Sequence, residues 1–261
     1  MPELGLGSSL AGGAVVTKAP LVNSYSLAFD GTNDYVDTSF DFSDDGGITT
    51  GDFSISFWMK AATWSSYMCV LSNSTYVPQW GGVQFARVVE DWDGRGNAEG
   101  ALSMLSTAQG SYDQPSAVVT SALSTDTWYH IVGTRASGTR YIYLDGTLQE
   151  SRGTNSDSID RGDNLLIGRH PDNTYPRYFD GNIDEVAIWD VALDADAVTA
   201  IYNSGTPIAL DADSGDYDNS GDLVAYWRFE EGTGTSAADS STNSNTGTLT
   251  NGATWDADVP S

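Results

Sequence analysis

Phe53, Ile55, Phe57 and Met59 alternate with Ser54, Ser56, Trp58 and Lys60. A period of two predicts a strand with one buried face. Comparable runs lie at 24–29, 35–37, 83–89, 102–106, 118–121, 128–134, 141–144, 147–150, 165–168 and 183–189, separated by Gly, Asp and Asn. Asp145-Gly146 stands between two of them and predicts a type I′ hairpin, because that turn needs positive φ twice. Strands at this spacing predict an all-β sandwich or jelly roll. Helical spacing occurs once, in Leu193, Ala197, Val198 and Ile201, with Gly205 as a left-handed cap and Pro207 as a breaker. That short helix is expected to cover one end of the sandwich.

Past Pro207 the texture changes. Residues 207–261 carry 10 acidic side chains and one Arg, yet 223–229 and 248–255 are strand-like and contain Trp and Phe. This acidic segment is expected to pack on the same jelly roll. A domain swap onto a neighbouring copy and a truncated second domain are the alternatives. Residues 1–22 are Gly-rich and read as an extended N-terminal arm, leaving 23–206 as the main β domain. Glu3 and the interrupting glycines do not make a secretory signal, and no apolar window is long enough to span a membrane.

Length and composition agree with one large β domain. The chain has 261 residues and a formal net charge of −25. It contains 29 Asp and 7 Glu against 9 Arg and 2 Lys. Asp favours turns over helices, since it hydrogen-bonds nearby backbone. The charge argues against nucleic acid, whose phosphates need clustered Lys and Arg. One Cys makes no internal disulfide and no thiolate metal cluster.

Several motifs, in order, resemble laminin-G-like domains of the concanavalin A-like lectin/glucanase superfamily. Leu27-Ala28-Phe29-Asp30-Gly31-Thr32-Asn33-Asp34-Tyr35-Val36 resembles the opening strand and turn, and 53–59 resembles a second strand. Trp128-Tyr129-His130-Ile131-Val132 and the hairpin at 141–146 follow. Leu165-Leu166-Ile167-Gly168-Arg169 and 181–189 resemble the closing strands, and 192–205 the helix after them. The resemblance covers roughly 24–206 and implies a two-sheet antiparallel jelly roll with one short helix. The stretch 223–255 resembles the part that normally precedes the Phe29-Asp30-Gly31 motif, which fits a circular permutation.

The resemblance also implies a structural Ca²⁺ near the first and last strands, held by Asp184 with Asp30 or nearby carbonyls opposite. Oxygen ligands suit that ion. The alternative is that Asp30 is a turn residue and Asp184 a hydrogen bonder. Asp216, Asp218 and Ser220 match the start of a calcium loop, but Trp227 stands where an EF-hand needs a bidentate Glu. Sugars are gripped by aromatic faces beside polar groups. Trp64, Tyr67, Tyr76, Trp80 and Trp92 lie in irregular, polar-rich segments and form the candidate glycan patch. The same stretch could instead cover a sheet or a subunit contact.

Catalysis has less to stand on. Glu90-Asp91-Trp92-Asp93 lacks the second Glu of a glucanase pair, and no nucleophile elbow is present. His130 reads as a structural hydrogen bonder, and His170 as an exposed loop residue. Arg161-Gly162-Asp163 reads as a turn, and Asn73-Ser74-Thr75 is a glycosylation sequon. The expected function is a non-enzymatic structural or adhesive protein on an assembly surface, most concretely a phage virion component: capsid decoration, fibre or tail. It would contact other virion proteins through the arm, work in many copies and bind a surface glycan. The alternatives are an exported, extracellular bacterial polysaccharide-binding module and, third, a glycosidase or lyase.

Overall fold

The alternating run at 53–59 forms the strand Phe53–Ala61 (β3), but it is buried on both faces. Its Ile55, Phe57 and Met59 join the core between two sheets. Its Ser54 and Ser56 are covered from the other side and keep polar partners there. Ser54 Oγ accepts from Leu193 N at 2.8 Å and donates to Val191 O at 2.9 Å. Ser56 Oγ meets His130 Nε2 at 2.8 Å. A third layer therefore lies outside this sheet, which the alternation alone does not announce.

The computed structural model describes residues 21–45, 47–48, 51–64, 68–74, 82–87, 100–107, 117–153, 159 and 163–261. The expected N-terminal arm falls almost wholly outside them. Strands follow in chain order: β1 Ser26–Asp30, β2 Tyr35–Asp37, β3, β4 Cys69–Ser72, β5 Gly82–Arg87, β6 Leu102–Thr107, β7 Ala117–Val118 and β8 Tyr129–Ala136. Then come β9 Thr139–Leu144, β10 Thr147–Arg152, β11 Leu166–Ile167, β12 Asp180–Trp189, helix α1 Ala195–Tyr202, β13 Leu223–Trp227, β14 Ser236–Ala237, β15 Gly247–Thr250 and β16 Thr254–Asp256. All pairings are antiparallel. The first sheet runs β10-β9-β8-β3-β12-β1-β16, with β13 also on β12, and the second runs β14-β15-β2-β11-β4-β5-β6-β7. This is the expected jelly-roll sandwich. Strands β4 and β14 lie outside the predicted runs, and the run at 248–255 is split into β15 and β16 by a turn at Asn251-Gly252. Asp145 and Gly146 both have positive φ, as the hairpin requires.

Phe57 and Phe85 meet edge to face across the sheets at 5.1 Å. Gly133 faces Phe85 and Met104 so closely that an added Cβ would overlap both. Two arginines also point inward. Arg135 and Arg140 are cross-strand partners and essentially fully buried. Arg135 Nε donates to Gly51 O at 3.0 Å, with its guanidinium 4.9 Å from the Phe53 ring. Arg140 Nε donates to Ser106 Oγ at 2.9 Å.

The outer layer on the first sheet groups Val132, Tyr143, Ala187 and Trp189 with Leu193, Ala197, Val198 and Ile201 around α1, and with Leu210, Tyr217, Leu223 and Tyr226. Asp194 caps α1 by accepting from Ala197 N. The left-handed C-cap is Asn203, φ 46°, rather than Gly205. Asn tolerates that conformation at modest cost. Among the described residues, no helix is long and apolar enough to cross a membrane.

Strands from 207–261 enter both sheets. β1 pairs with β12 over Asp180–Ile183, and β13 pairs with it over Val186–Trp189, so the two share one side of β12. β15 pairs with β2, and β16 pairs with β1 with Asp256 opposite Ser26. Trp227 is buried, donates from Nε1 to Asn245 O at 2.7 Å and packs edge-on to Phe40. Removing residues 207–261 is expected to abolish cooperative thermal unfolding and leave the chain insoluble, because both sheets lose strands. Trp227→Ala is expected to cost about 3–5 kcal/mol in urea denaturation. An unchanged melting curve for the truncated chain would contradict this role.

Candidate functional site

β12 carries one residue too many for its neighbour. Asp184 lies opposite Trp58 and Ala187 opposite Ser56, so three steps on β12 match two on β3. The bulge residue is Glu185, at φ 48°. A bulge of this kind shifts the side-chain phase: Ile183, Val186 and Ile188 all enter the core, while Asp184 and Glu185 turn away from it together. Both remain buried. Asn23 Nδ2 donates to Asp184 Oδ2 at 2.9 Å, and Glu185 N to Asp184 Oδ1 at 2.9 Å. The Tyr226 hydroxyl donates to Glu185 Oε2, and Arg228 Nε lies 3.5 Å from Oε1. Arg228 also donates to Val22 O, while Glu230 accepts from Ser24 N and Tyr25 N. The knot thus ties residues 22–25 to β12 and to the chain after β13.

Its carboxyls titrate late. Burial, then the neighbouring Glu185 charge, holds Asp184 well above the usual carboxylate range. Burial pushes Glu185 up to about 7, opposed by Tyr226 and Arg228. In the unfolded chain both ionise near pH ~4. The folded chain therefore keeps protons that the unfolded chain releases between those values. Stability from this knot is complete below the unfolded value and is lost as pH rises through about 7. The urea midpoint is expected to be higher at pH 5.5 than at pH 8, and Glu185→Gln is expected to shrink that difference. Equal pH dependence in variant and parent would show that Glu185 does not titrate in this range.

The carboxylates picked out for calcium are not gathered. Asp30 lies opposite Asp180, four residues along β12 from Asp184, about 13 Å at the rise of a strand. Asp30 Oδ1 accepts from Thr32 N at 2.8 Å, as a turn residue does. Both Asp184 oxygens already have protein donors. Asp216 and Asp218 are exposed on either side of buried Tyr217. Ser220 turns instead to Asp213, through Oγ at 2.6 Å. Among the described residues no group of three or more His, Cys, Asp or Glu is arranged to hold a metal. The residues present do not fit the implied ion as one site.

Of the aromatic patch, Tyr67, Tyr76, Trp80 and Trp92 lie outside the described residues. Trp64 packs against the core. His130 is a structural hydrogen bonder, as expected: it bonds Ser56, stacks on Tyr202 and lies tilted against Trp58, and burial pushes it down to about 3. His170 is fully buried, not exposed. The sequon Asn73 is buried too, with Oδ1 accepting from Val83 N at 2.7 Å, so its amide is not presented for glycosylation. Of Arg161-Gly162-Asp163, only Asp163 is described, and it is exposed. Burial also pushes the Cys69 thiol up to about 12.

A more open surface lies on the second sheet. Val36, Ile167, Leu71, Phe85, Met104, Leu249 and Ala237 face the core, so their neighbours face out. Register aligns Ser236, Thr248, Asp37, Leu166, Ser72, Gln84 and Leu105 in one outward row. Exposure falls from Ser236 and Thr248 at one end to buried Ser72 and Gln84. Asn164 Nδ2 donates to Asp37 Oδ1 at 3.0 Å. Tyr35, from the next row, is half-buried.

Beside Tyr35 rises the loop 169–178, between β11 and β12. Its base is closed by His170 N to Pro176 O at 2.7 Å and Phe179 N to Gly168 O at 2.8 Å. Inside it, Asp172 N donates to His170 Nδ1 at 3.1 Å and Thr174 N to Asp172 Oδ1 at 2.7 Å. A backbone N–H only donates, so Nδ1 is the unprotonated nitrogen. His170 is held neutral, pushed down to about 3 chiefly by burial. The Arg169 guanidinium lies 4.9 Å from the Tyr35 ring and 5.4 Å from the Tyr178 ring. Tyr175, immediately before the base-closing Pro176, is 61% exposed. None of Tyr35, Tyr175 and Tyr178 stood out in the sequence. The available signal was the run Tyr175-Pro176-Arg177-Tyr178, which sets aromatic and basic side chains next to a rigid residue.

Comparisons with known proteins agree with this architecture. Among curated sequences nothing matches. Among solved structures, a candidate carbohydrate-binding protein from Bacteroides ovatus ATCC 8483 superposes with a TM-score of 0.66 at 20% identity, covering 92% of this chain and 62% of that one. The present chain therefore spans less than two thirds of that protein. The CBM40 of Ruminococcus gnavus IT-sialidase, bound to α2,3-sialyllactose, gives 0.51 at 15% identity, covering 68% and 96%. A heptameric SAP-like pentraxin from Limulus polyphemus gives 0.50 at 14%, covering 69% and 82%. At these identities the likeness is one of fold. The laminin-G family model described as concanavalin A-like lectin/glucanases superfamily matches residues 30–199, and the chain belongs to that family.

Proposed function

We propose that the chain is a non-catalytic carbohydrate-binding module, and that its sugar contact is the loop 169–178 with the adjoining outward face of β2 and β15. One observation carries this reading. Tyr175 is exposed on a loop that hydrogen bonds and ring contacts hold in one shape. A pyranose presents a flat C–H face that stacks on such a ring, and a preformed loop loses little entropy on binding. Asp37 on β2, Thr248 and Thr250 on the adjacent β15, and Asn164 bonded to Asp37 offer carboxylate, hydroxyl and amide groups suited to sugar hydroxyls. The same sandwich serves sugar binding in the Ruminococcus module.

Binding is favoured over catalysis because both histidines are buried and neutral, His130 under the first sheet's outer layer and His170 inside the loop itself. Such a module works on an extracellular or surface-exposed polysaccharide. Display on an assembly such as a phage virion has only the sequence as its ground, and copurification with particles tests it. For the sugar contact itself, Tyr175→Ala is expected to weaken polysaccharide binding in affinity electrophoresis at least tenfold with an unchanged melting temperature. Full binding by that variant would place the contact elsewhere.

A further inference from the structure

Arg169 stands apart from most charged groups in this molecule. The chain has 36 acidic residues and 11 basic ones, so a guanidinium has an excess of carboxylates to choose from. Arg169 is 7% exposed and takes none of them. Its Nε donates to His170 O at 2.9 Å, and Nη2 donates to Asn173 Oδ1 at 2.8 Å and to Pro171 O at 3.3 Å. All three acceptors are neutral. Its two flanking groups are the uncharged rings of Tyr35 and Tyr178. Nη1 makes no hydrogen bond and is not among the polar atoms sealed from solvent. Asp172, on the same loop, is turned to Thr174 N and forms no ion pair with Arg169.

A buried cation without a counter-ion is costly unless something supplies the charge. Here the guanidinium is held against two rings and by hydrogen bonds from two of its three nitrogens, and the remaining nitrogen has no protein partner and is not sealed from solvent. That is the arrangement of a preorganised anion donor. Resting on the carbohydrate-binding reading above, we propose that the sugar is carboxylated, a uronic or sialic acid, whose carboxylate takes Arg169 Nη1 while its ring meets the tyrosine surface of the loop. At His170, on the same loop, the charges of Arg177 and Arg169 push one way and that of Asp172 the other. In a molecule of charge −25, a guanidinium with no carboxylate partner gives an acidic glycan one point of attraction on an otherwise repelling surface.

The test compares sugars that differ only in the carboxylate. Wild-type protein is titrated by calorimetry with oligogalacturonate and its carboxyl-reduced form, and with 3′-sialyllactose and lactose. The carboxylated member of at least one pair is expected to bind tenfold or more tightly, with an affinity that falls as salt is raised. Arg169→Gln is expected to erase that preference, and Arg169→Lys to restore part of it. The wild-type comparison stands even if a variant fails to fold. Equal affinity within both pairs, with binding still lost in Tyr175→Ala, would overturn the carboxylate assignment and keep the sugar-binding reading. No binding to any of these, or to neutral polysaccharides, would overturn both.

Discussion

The sandwich depends on the pairing of β12. This ten-residue strand lies between β3 on one side and two strands, β1 and β13, laid end to end on the other. One face of it supplies Ile183, Val186 and Ile188 to the core, and the other supplies Ala187 and Trp189 to the outer layer. Backbone groups in a buried strand must all be paired. The side of β12 that β1 leaves open therefore needs a further strand, and the chain brings one from near its far end. That single requirement makes 207–261 part of the fold. It also places Tyr226 against Glu185, and Arg228 and Glu230 against residues 22–25.

The bulge at Glu185 is what this arrangement must tolerate. A Glu at positive φ carries a local conformational cost. Two adjacent carboxyls turned into one buried pocket add desolvation to it. The surrounding Asn23, Tyr226 and Arg228 offset part of this by hydrogen bonding and charge. The consequence is a structural acid pair that stays protonated where other carboxyls do not. It accounts for Asp184 as a hydrogen-bonding group in the joint between the strands, rather than as one arm of a metal site shared with Asp30.

The loop 169–178 solves a different problem. It crosses from the second sheet to the first, so its backbone lies at the surface and its anchor must lie below. Arg169 is that anchor, clasped by tyrosines and by the loop's own carbonyls. Buried Arg169 holds the loop, and the same loop leaves Tyr175 exposed. The proposed sugar contact, built this way, would be precise without needing a regular element to carry it.

The local pattern determined most of the strands, the hairpin at Asp145-Gly146 and the short helix, because alternation and turn chemistry act over a few residues. The in-order motifs pointed to the laminin-G family for the same reason. Burial of β3 on both faces was not legible, since nothing in residues 53–61 says that α1 and the chain after it will cover Ser54 and Ser56. The phase shift at Glu185 was equally hidden: it exists only relative to the register of β3. The grouping of candidate ligands also had to wait. Asp30 and Asp184 were chosen by motif, and strand register separated them. Tyr35, Tyr178 and Arg169 are far apart or unremarkable in the chain, and only the pairing of β2 with β11 brings them into one stack. Sequence spacing determines which face a side chain takes within its own element. Which elements then become neighbours is decided by long-range pairing, and that is where this surface is made.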